Sequence, residues 1–178
     1  MRKEIRLSGF GGQGIILSGV ILGKGASLYD NKNAVQTQSY GPEARGGASK
    51  SEVVISEEEI SFPKVIKPDI LVCMSQPAFD KYGMDVKENG CVIVDKDLVS
   101  IPEDYENNFN VYQVPFTEIA HKEVGLKIVA NIVMLGALTK ITNIVSKDAM
   151  EKAVLDSVPK GTEKKNILAF EKGYNYIE

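Results

Sequence analysis

The chain has 178 residues and carries 24 acidic against 21 basic side chains, a formal net charge of −3. It is 43% hydrophobic and 25% charged, the balance of one soluble globular domain over residues 1–178 with enough chain for a substantial core. The charge argues against a nucleic-acid surface. The longest apolar run, Ile128–Thr139, is too short to span a bilayer. Met1-Arg2-Lys3-Glu4 leads into a strand-like segment without an apolar leader, so no signal peptide is expected and the cytoplasm is the expected compartment.

Strand and helix signals alternate along the chain. Ile5–Ser8 reads as a strand, Gly14–Tyr29 as a helix, Asp30–Asn33 as a turn and Ala34–Gln38 as a second strand. A loop covers 39–47, and Ser51–Ser56 is a third strand. Asp69–Met74 and Cys91–Asp95 are continuous apolar runs, the pattern of strands covered on both faces. Between them Gln76–Tyr82 suits a short helix, with Pro77 in its first turn. Val111–Val114 is the last strand. Helical patterns follow over Thr117–Glu123, Lys127–Ile141, Lys147–Asp156 and Glu163–Tyr176, with Ser146 and Thr162 placed as N-caps. The expected fold is α/β: a three-layer α/β/α Rossmann-like domain with a mostly parallel sheet and a helical C-terminal part.

The first strand runs into Gly9-Phe10-Gly11-Gly12-Gln13-Gly14, which fits G-x-G-x-x-G in a strand–turn–helix setting. Such a turn brings backbone N–H groups and a helix N-terminus up to an anion. The motif alone leaves three uses open: a nucleotide, another anion, or packing. An NAD site wants an acid at the end of the second strand, but Lys32–Gln36 hold none and Gln38-Ser39-Tyr40 close it. A P-loop is weaker still: Ser18 stands where its first glycine should be, and Gly25 follows Lys24 where a magnesium-binding Ser or Thr would stand. Gly19, Gly23 and Gly25 fit close helix-to-sheet packing instead.

Thr37 to Gly47 is the second concentration of signal. It offers amide, hydroxyl, phenol and guanidinium groups, and three glycines, at a neighbouring strand end. Arg45 suits forked recognition of a carboxylate or phosphate, or is solvated or paired to Glu43. Cys73 and Cys91 sit in apolar strands and read as buried reduced thiols. Two cysteines cannot complete a four-cysteine cluster. His121 reads as a surface or satisfied histidine, and Asp95 and Asp97 as a helix cap or turn. There is no nucleophile elbow.

Taken together, Gly9-Phe10-Gly11-Gly12-Gln13-Gly14 and Thr37-Gln38-Ser39-Tyr40-Gly41-Pro42-Glu43-Ala44-Arg45-Gly46-Gly47 closely resemble the gamma subunit of 2-oxoacid:ferredoxin oxidoreductases. The helix Ala130-Asn131-Ile132-Val133-Met134-Leu135-Gly136-Ala137 resembles it too, as does the chain length. The Tyr-Gly-Pro-Glu-Ala-Arg-Gly-Gly form is most similar to the 2-oxoglutarate enzymes, with pyruvate, 2-oxoisovalerate and indolepyruvate relatives.

The resemblance implies a subunit of an enzyme that decarboxylates a 2-oxoacid, reduces ferredoxin and releases an acyl-CoA. It implies thiamine diphosphate, Mg²⁺ and iron–sulfur clusters on partner chains, coenzyme A as co-substrate, and alpha and beta subunits, or alpha, beta and delta, as partners. No catalytic or metal-binding residue is expected on this chain, which alone is expected to be inactive. The ligand or subunit-interface residues it implies are Gly9, Gly11, Gly12, Gln13, Gly14, Gln38, Ser39, Tyr40, Gly41, Arg45, Gly46, Gly47 and Asn131. Here the turn amides and Arg45 face a CoA phosphate or the distal carboxylate of the 2-oxoacid. Gln13, Gln38, Ser39 and Tyr40 orient that group or pack on the catalytic subunit. Asn131 ties the later helix to the turn. A subunit would carry an exposed apolar face, through which the isolated chain would dimerise, unless it is marginally stable alone. The rival readings are a freestanding Rossmann-type nucleotide-binding oxidoreductase and a scaffold without a ligand.

Overall fold

The structure is a computed structural model that describes residues 1–39 and 47–178. Among these, six strands form one sheet: β1 (Arg2–Gly9), β2 (Asn33–Gln38), β3 (Ser49–Ser56), β4 (Ile70–Cys73), β5 (Cys91–Asp95) and β6 (Asn110–Val114). The helices are α1 (Ile15–Lys24), α2 (Gln76–Tyr82), α3 (Phe116–Ile119), α4 (Ala130–Thr142), α5 (Lys147–Ser157) and α6 (Glu163–Tyr176). The α/β class expected from the alternation is the one observed. α1 continues into a π-helical turn at Gly25–Tyr29 and α3 into another at Ala120–Val124.

The strand order is β2-β3-β1-β4-β5-β6. β1, β4, β5 and β6 pair in parallel, while β3 is antiparallel to both β1 and β2. Five strands therefore point the same way and β3 alone runs against them. The chain leaves β1 to build β2 and β3 on one side, then crosses to β4 on the other. That reversal places a crevice at the carboxyl ends of β1 and β4, where open α/β sheets hold ligands.

Side chains alternate across the sheet. Ile5, Leu7, Val53, Ile55, Val72 and Ile93 face the larger core, closed by α1 and the C-terminal helices. Leu71, Cys73, Val92 and Val94 face a smaller core under α2 and Tyr105. β4 and the apolar part of β5 are buried on both faces, as their unbroken apolar runs predict.

Tight packing fixes α1 on the sheet, since a Cβ at Gly19 would overlap the Ser51 hydroxyl. The other two glycines of this stretch depart from expectation. Gly25 abuts Met150 and Val145 rather than the sheet, and Gly23 has room for a Cβ. Ser146 caps α5 by accepting from Ala149 N at 3.4 Å. Thr162 stands at the N-cap of α6, but its side chain makes no capping bond to the backbone: the hydroxyl donates to Pro159 O at 2.6 Å and accepts from Asn166 Nδ2 at 3.1 Å. Among the described residues no helix is long and apolar enough to cross a membrane.

Candidate functional site

The site is built on the turn between β1 and α1. Gly9 closes β1 opposite Ser49, and Gly12 and Gly14 take φ of 89° and 72°, a region where a Cβ is strained. Gln13 turns its side chain inward. Its Oε1 accepts from Phe10 N at 2.6 Å, and its Nε2 donates to Met74 O at 3.0 Å. This amide is therefore held by the chain itself.

Gly14 caps α1 through its backbone alone. Its carbonyl accepts from Ser18 N at 2.9 Å, Ser18 Oγ at 2.8 Å and Asn131 Nδ2 at 3.3 Å. Asn131, 4% exposed in the first turn of α4, thus joins that helix to the turn. Among the described residues the N–H groups of Gly11, Gly12 and Gly14 have no hydrogen-bond partner, and Gly11 and Gly12 are exposed. Open amides at the positive end of a helix can receive an anion.

The second loop rises from the same end of the sheet. Gln38 pairs with Ser51, and Ser39 continues the hairpin through N–H to Lys50 O at 3.1 Å, while its Oγ accepts from Lys50 N at 3.2 Å. Gly47 and Ala48 lead into β3. Ser75 Oγ donates to Gly47 O at 2.5 Å, and Tyr82 Oη donates to Ala48 O at 3.0 Å. A Cβ at Gly47 would lie 2.6 Å from the Phe10 ring, so the two loops touch. Tyr40, Gly41, Arg45 and Gly46 lie outside the described residues. The structure thus brings Gly9, Gly11, Gly12, Gln13, Gly14, Gly47 and Asn131 together, with Gln38 and Ser39 on the far side of β3.

Other groups near the sheet's end are structural. Asp95 is fully buried; its Oδ2 accepts from Thr117 N at 3.1 Å and Thr117 Oγ1 at 2.7 Å, capping α3 as the cap reading expected. Burial pushes its carboxyl upward, against the pull of the Thr117 and Asp97 donors. Beneath β1, Arg6 Nε donates to Glu52 Oε1 at 2.7 Å and Arg6 Nη1 to Asp85 Oδ2 at 2.6 Å. Burial opposes its charge, but these two carboxylates outweigh it and hold the guanidinium charged. Sequence reasoning missed this network and the Ser75 and Tyr82 clamps. Ser75 before Gln76-Pro77 carried a capping signal, but no local signal for its bond to Gly47.

The thiols show no catalytic poise. Cys73 is buried beside Ser8, and burial pushes its pKa up to about 12. Cys91 is partly exposed, against expectation, because it begins β5 at the open end of the sheet; burial still raises it to about 12. His121 is exposed on the second π-helical turn. No group of three metal-ligating side chains occurs among the described residues.

Beside the turn lies an apolar cleft of about 350 Å³. Gly12, Leu17, Ile128, Ile132 and Val158 contribute to its wall, and no charged side chain lines it. Leu17, Leu126 and Ile128 are each more than a third exposed along it.

Residues 4–176 match the family model for pyruvate ferredoxin/flavodoxin oxidoreductase. The 2-oxoglutarate synthase subunit KorC of Methanocaldococcus jannaschii is 75% identical over 98% of this chain and 93% of its own. The pyruvate synthase subunit PorC of the same organism is 30% identical over 97% of this chain and 95% of its own. Among solved structures, the gamma subunit of a keto/oxoacid ferredoxin oxidoreductase from Geobacter sulfurreducens superposes with a TM-score of 0.87 at 49% identity, covering 97% of this chain and 96% of that one. The chain therefore belongs to the pyruvate ferredoxin/flavodoxin oxidoreductase family, as a gamma-type subunit of a multisubunit 2-oxoacid:ferredoxin oxidoreductase.

Proposed function

We propose that this subunit serves a 2-oxoglutarate:ferredoxin oxidoreductase, which converts 2-oxoglutarate and coenzyme A to succinyl-CoA and CO₂ while reducing ferredoxin. The supporting observation is the contrast within one organism: the 2-oxoglutarate subunit is far closer to this chain than the pyruvate subunit. Alpha and beta subunits, or alpha, beta and delta, are the partners, and ferredoxin meets the assembled complex.

The redox groups belong on those partners. Thiamine diphosphate with Mg²⁺ supplies decarboxylation chemistry, and iron–sulfur clusters supply the electron path. The residues here do not fit an iron–sulfur cluster: two cysteines cannot make a four-thiolate set, and Cys73 is buried in the smaller core. This chain binds and orients. The open amides of Gly11, Gly12 and Gly14, with the Arg45 guanidinium, would hold an anionic group of coenzyme A or the distal carboxylate of the 2-oxoacid. The cleft beside the turn carries no charge and would keep water from the neighbouring neutral part of the bound molecule.

The test is the reconstituted complex. Wild-type enzyme is expected to reduce ferredoxin with 2-oxoglutarate and coenzyme A, and to prefer 2-oxoglutarate over pyruvate. Arg45→Ala should raise KM for coenzyme A or 2-oxoglutarate by about tenfold to a hundredfold, the loss of a charge-assisted hydrogen bond. Unchanged kinetics for both substrates with intact assembly would leave a scaffold role only.

A further inference from the structure

The two glycine loops are separated by more than twenty residues of sequence, yet both are held by one buried dipeptide. Met74-Ser75 follows β4 at the crevice between β1 and β4. Met74 N donates to Ser8 O at 2.9 Å, extending the pairing with β1 by one residue. Its carbonyl then receives Gln13 Nε2 at 3.0 Å, the contact that seats the first turn. The next residue, Ser75, is 0% exposed. Its hydroxyl donates to Gly47 O at 2.5 Å and accepts from Ala78 N at 3.2 Å, so one oxygen both caps α2 and holds the exit of the second loop. Phe10 packs against Gly47 across the gap.

Gln13 can occupy this place only because Gly9 lacks a side chain; a Cβ there would overlap Gln13 Oε1. With Gln13 seated, Phe10 N–H is consumed, while the N–H groups of the exposed Gly11 and Gly12 have no partner among the described residues. We infer that Ser75 and Gln13 are positioning residues, which through Met74-Ser75 fix the open amides of the first loop against Gly47, at the start of the segment leading into β3. The inference rests on the ligand reading proposed above. Anion recognition by backbone amides tolerates displacements of about half an ångström, so a slackened clamp weakens binding before it changes chemistry.

The experiment uses the assembled complex and steady-state kinetics with coenzyme A and 2-oxoglutarate varied separately. Arg45→Ala first identifies which of the two has its KM raised. Ser75→Ala and Gln13→Ala should each raise that same KM about tenfold, or about 1.4 kcal/mol. kcat should stay within about twofold, because neither residue touches the reacting atoms. Ser75→Thr, which keeps the hydroxyl, should return most of the affinity. The double variant Gln13→Ala/Ser75→Ala should fall short of the product of the single effects, since both act through one junction. Gln13 is partly exposed, so Gln13→Ala carries the test should the Ser75 variants assemble poorly. If Arg45→Ala raises a KM while Ser75→Ala and Gln13→Ala change neither, the positioning role is overturned and the ligand reading stands. A fall in kcat without a change in KM, or no rescue by Thr, overturns it too. If Arg45→Ala also changes nothing, the ligand reading fails and this inference falls with it.

Discussion

Asp30 ends the π-helical turn after α1 and ties it to the start of α5. Its Oδ2 accepts from Lys32 Nζ at 2.8 Å and from Ser146 N at 3.2 Å, and Lys32 Nζ also donates to Ile144 O at 2.7 Å. Burial alone would raise its pKa, but the Lys32 and Ser146 hydrogen bonds outweigh that and lower it. An unfolded aspartate titrates near pH ~3.9. A folded value below that means the stabilisation is present above the unfolded pKa and is lost as pH falls through the folded one. Asp30→Asn keeps the shape and removes the charge. With the ion pair only partly buried, it should cost about 1 kcal/mol at neutral pH. That corresponds to a fall in Tm of roughly 2–4 °C. The gap from wild type should narrow as melts are repeated at successively lower pH below the unfolded value; an equal gap across that range would show that the charge contributes nothing. Residues of this kind mark where sequence reading stops. Asp30 sits in an obvious turn cluster, but Ser146 is remote in sequence. Gln13 is likewise visible as a motif position, while its inward pose depends on Met74 O. Asn131 became legible only through the resemblance that linked its helix to the turn, and its bond to Gly14 O is present.

At the scale of elements, the C-terminal helices pack by mutual backbone approach. A Cβ at Gly136 of α4 would overlap Phe170 O, and one at Gly173 of α6 would overlap Val133 O. Neither backbone can yield without separating the helices, whose buried side chains include Met134, Leu135 and Phe170. Gly136→Ala gains helix propensity, worth about 1 kcal/mol in isolation. The clash should exceed that gain and leave a net loss of about 2–3 kcal/mol. Thermal melts should show Tm lower by roughly 5–10 °C, and a stabilised variant would mean that the helices shift apart at little cost. Sequence patterning anticipated α2, α6 and β5 at their observed limits, because apolar runs and turn residues bracket them closely. It did not anticipate the π-helical turns, which are confined to five residues at a helix end and so leave no sustained periodicity. Thr162 holds the N-cap position without capping: its backbone, at φ −107° and ψ 0°, is not extended, and its oxygen receives the Asn166 side-chain amide rather than a backbone N–H.

The sheet as a whole decides between a subunit and a freestanding dinucleotide enzyme. In a dinucleotide fold both strands flanking β1 are parallel to it, and an acid at the carboxyl end of the second strand bonds the ribose hydroxyls. Here β4 is parallel on one side, but β3 on the other runs the opposite way and presents its first residues, Ser49 and Lys50, at that end. Gln38, at the carboxyl end of β2, is displaced by a further strand. The missing acid was legible in the sequence, and the direction of β3 had a trace there as well. No helix-length segment separates β2 from β3, and a parallel crossover needs one. Nucleotide binding would thus have to bridge an antiparallel strand without an acid, beside a basic side chain. Titration of the isolated chain with NAD, NADP and FAD should show no saturable binding up to about 1 mM, a limit of about 4 kcal/mol. A micromolar Kd for any of them would mean that the glycine turn serves a nucleotide after all. Absence of binding would leave the open amides available to an anion held jointly with a partner subunit, the arrangement that Arg45→Ala tests in the assembled enzyme.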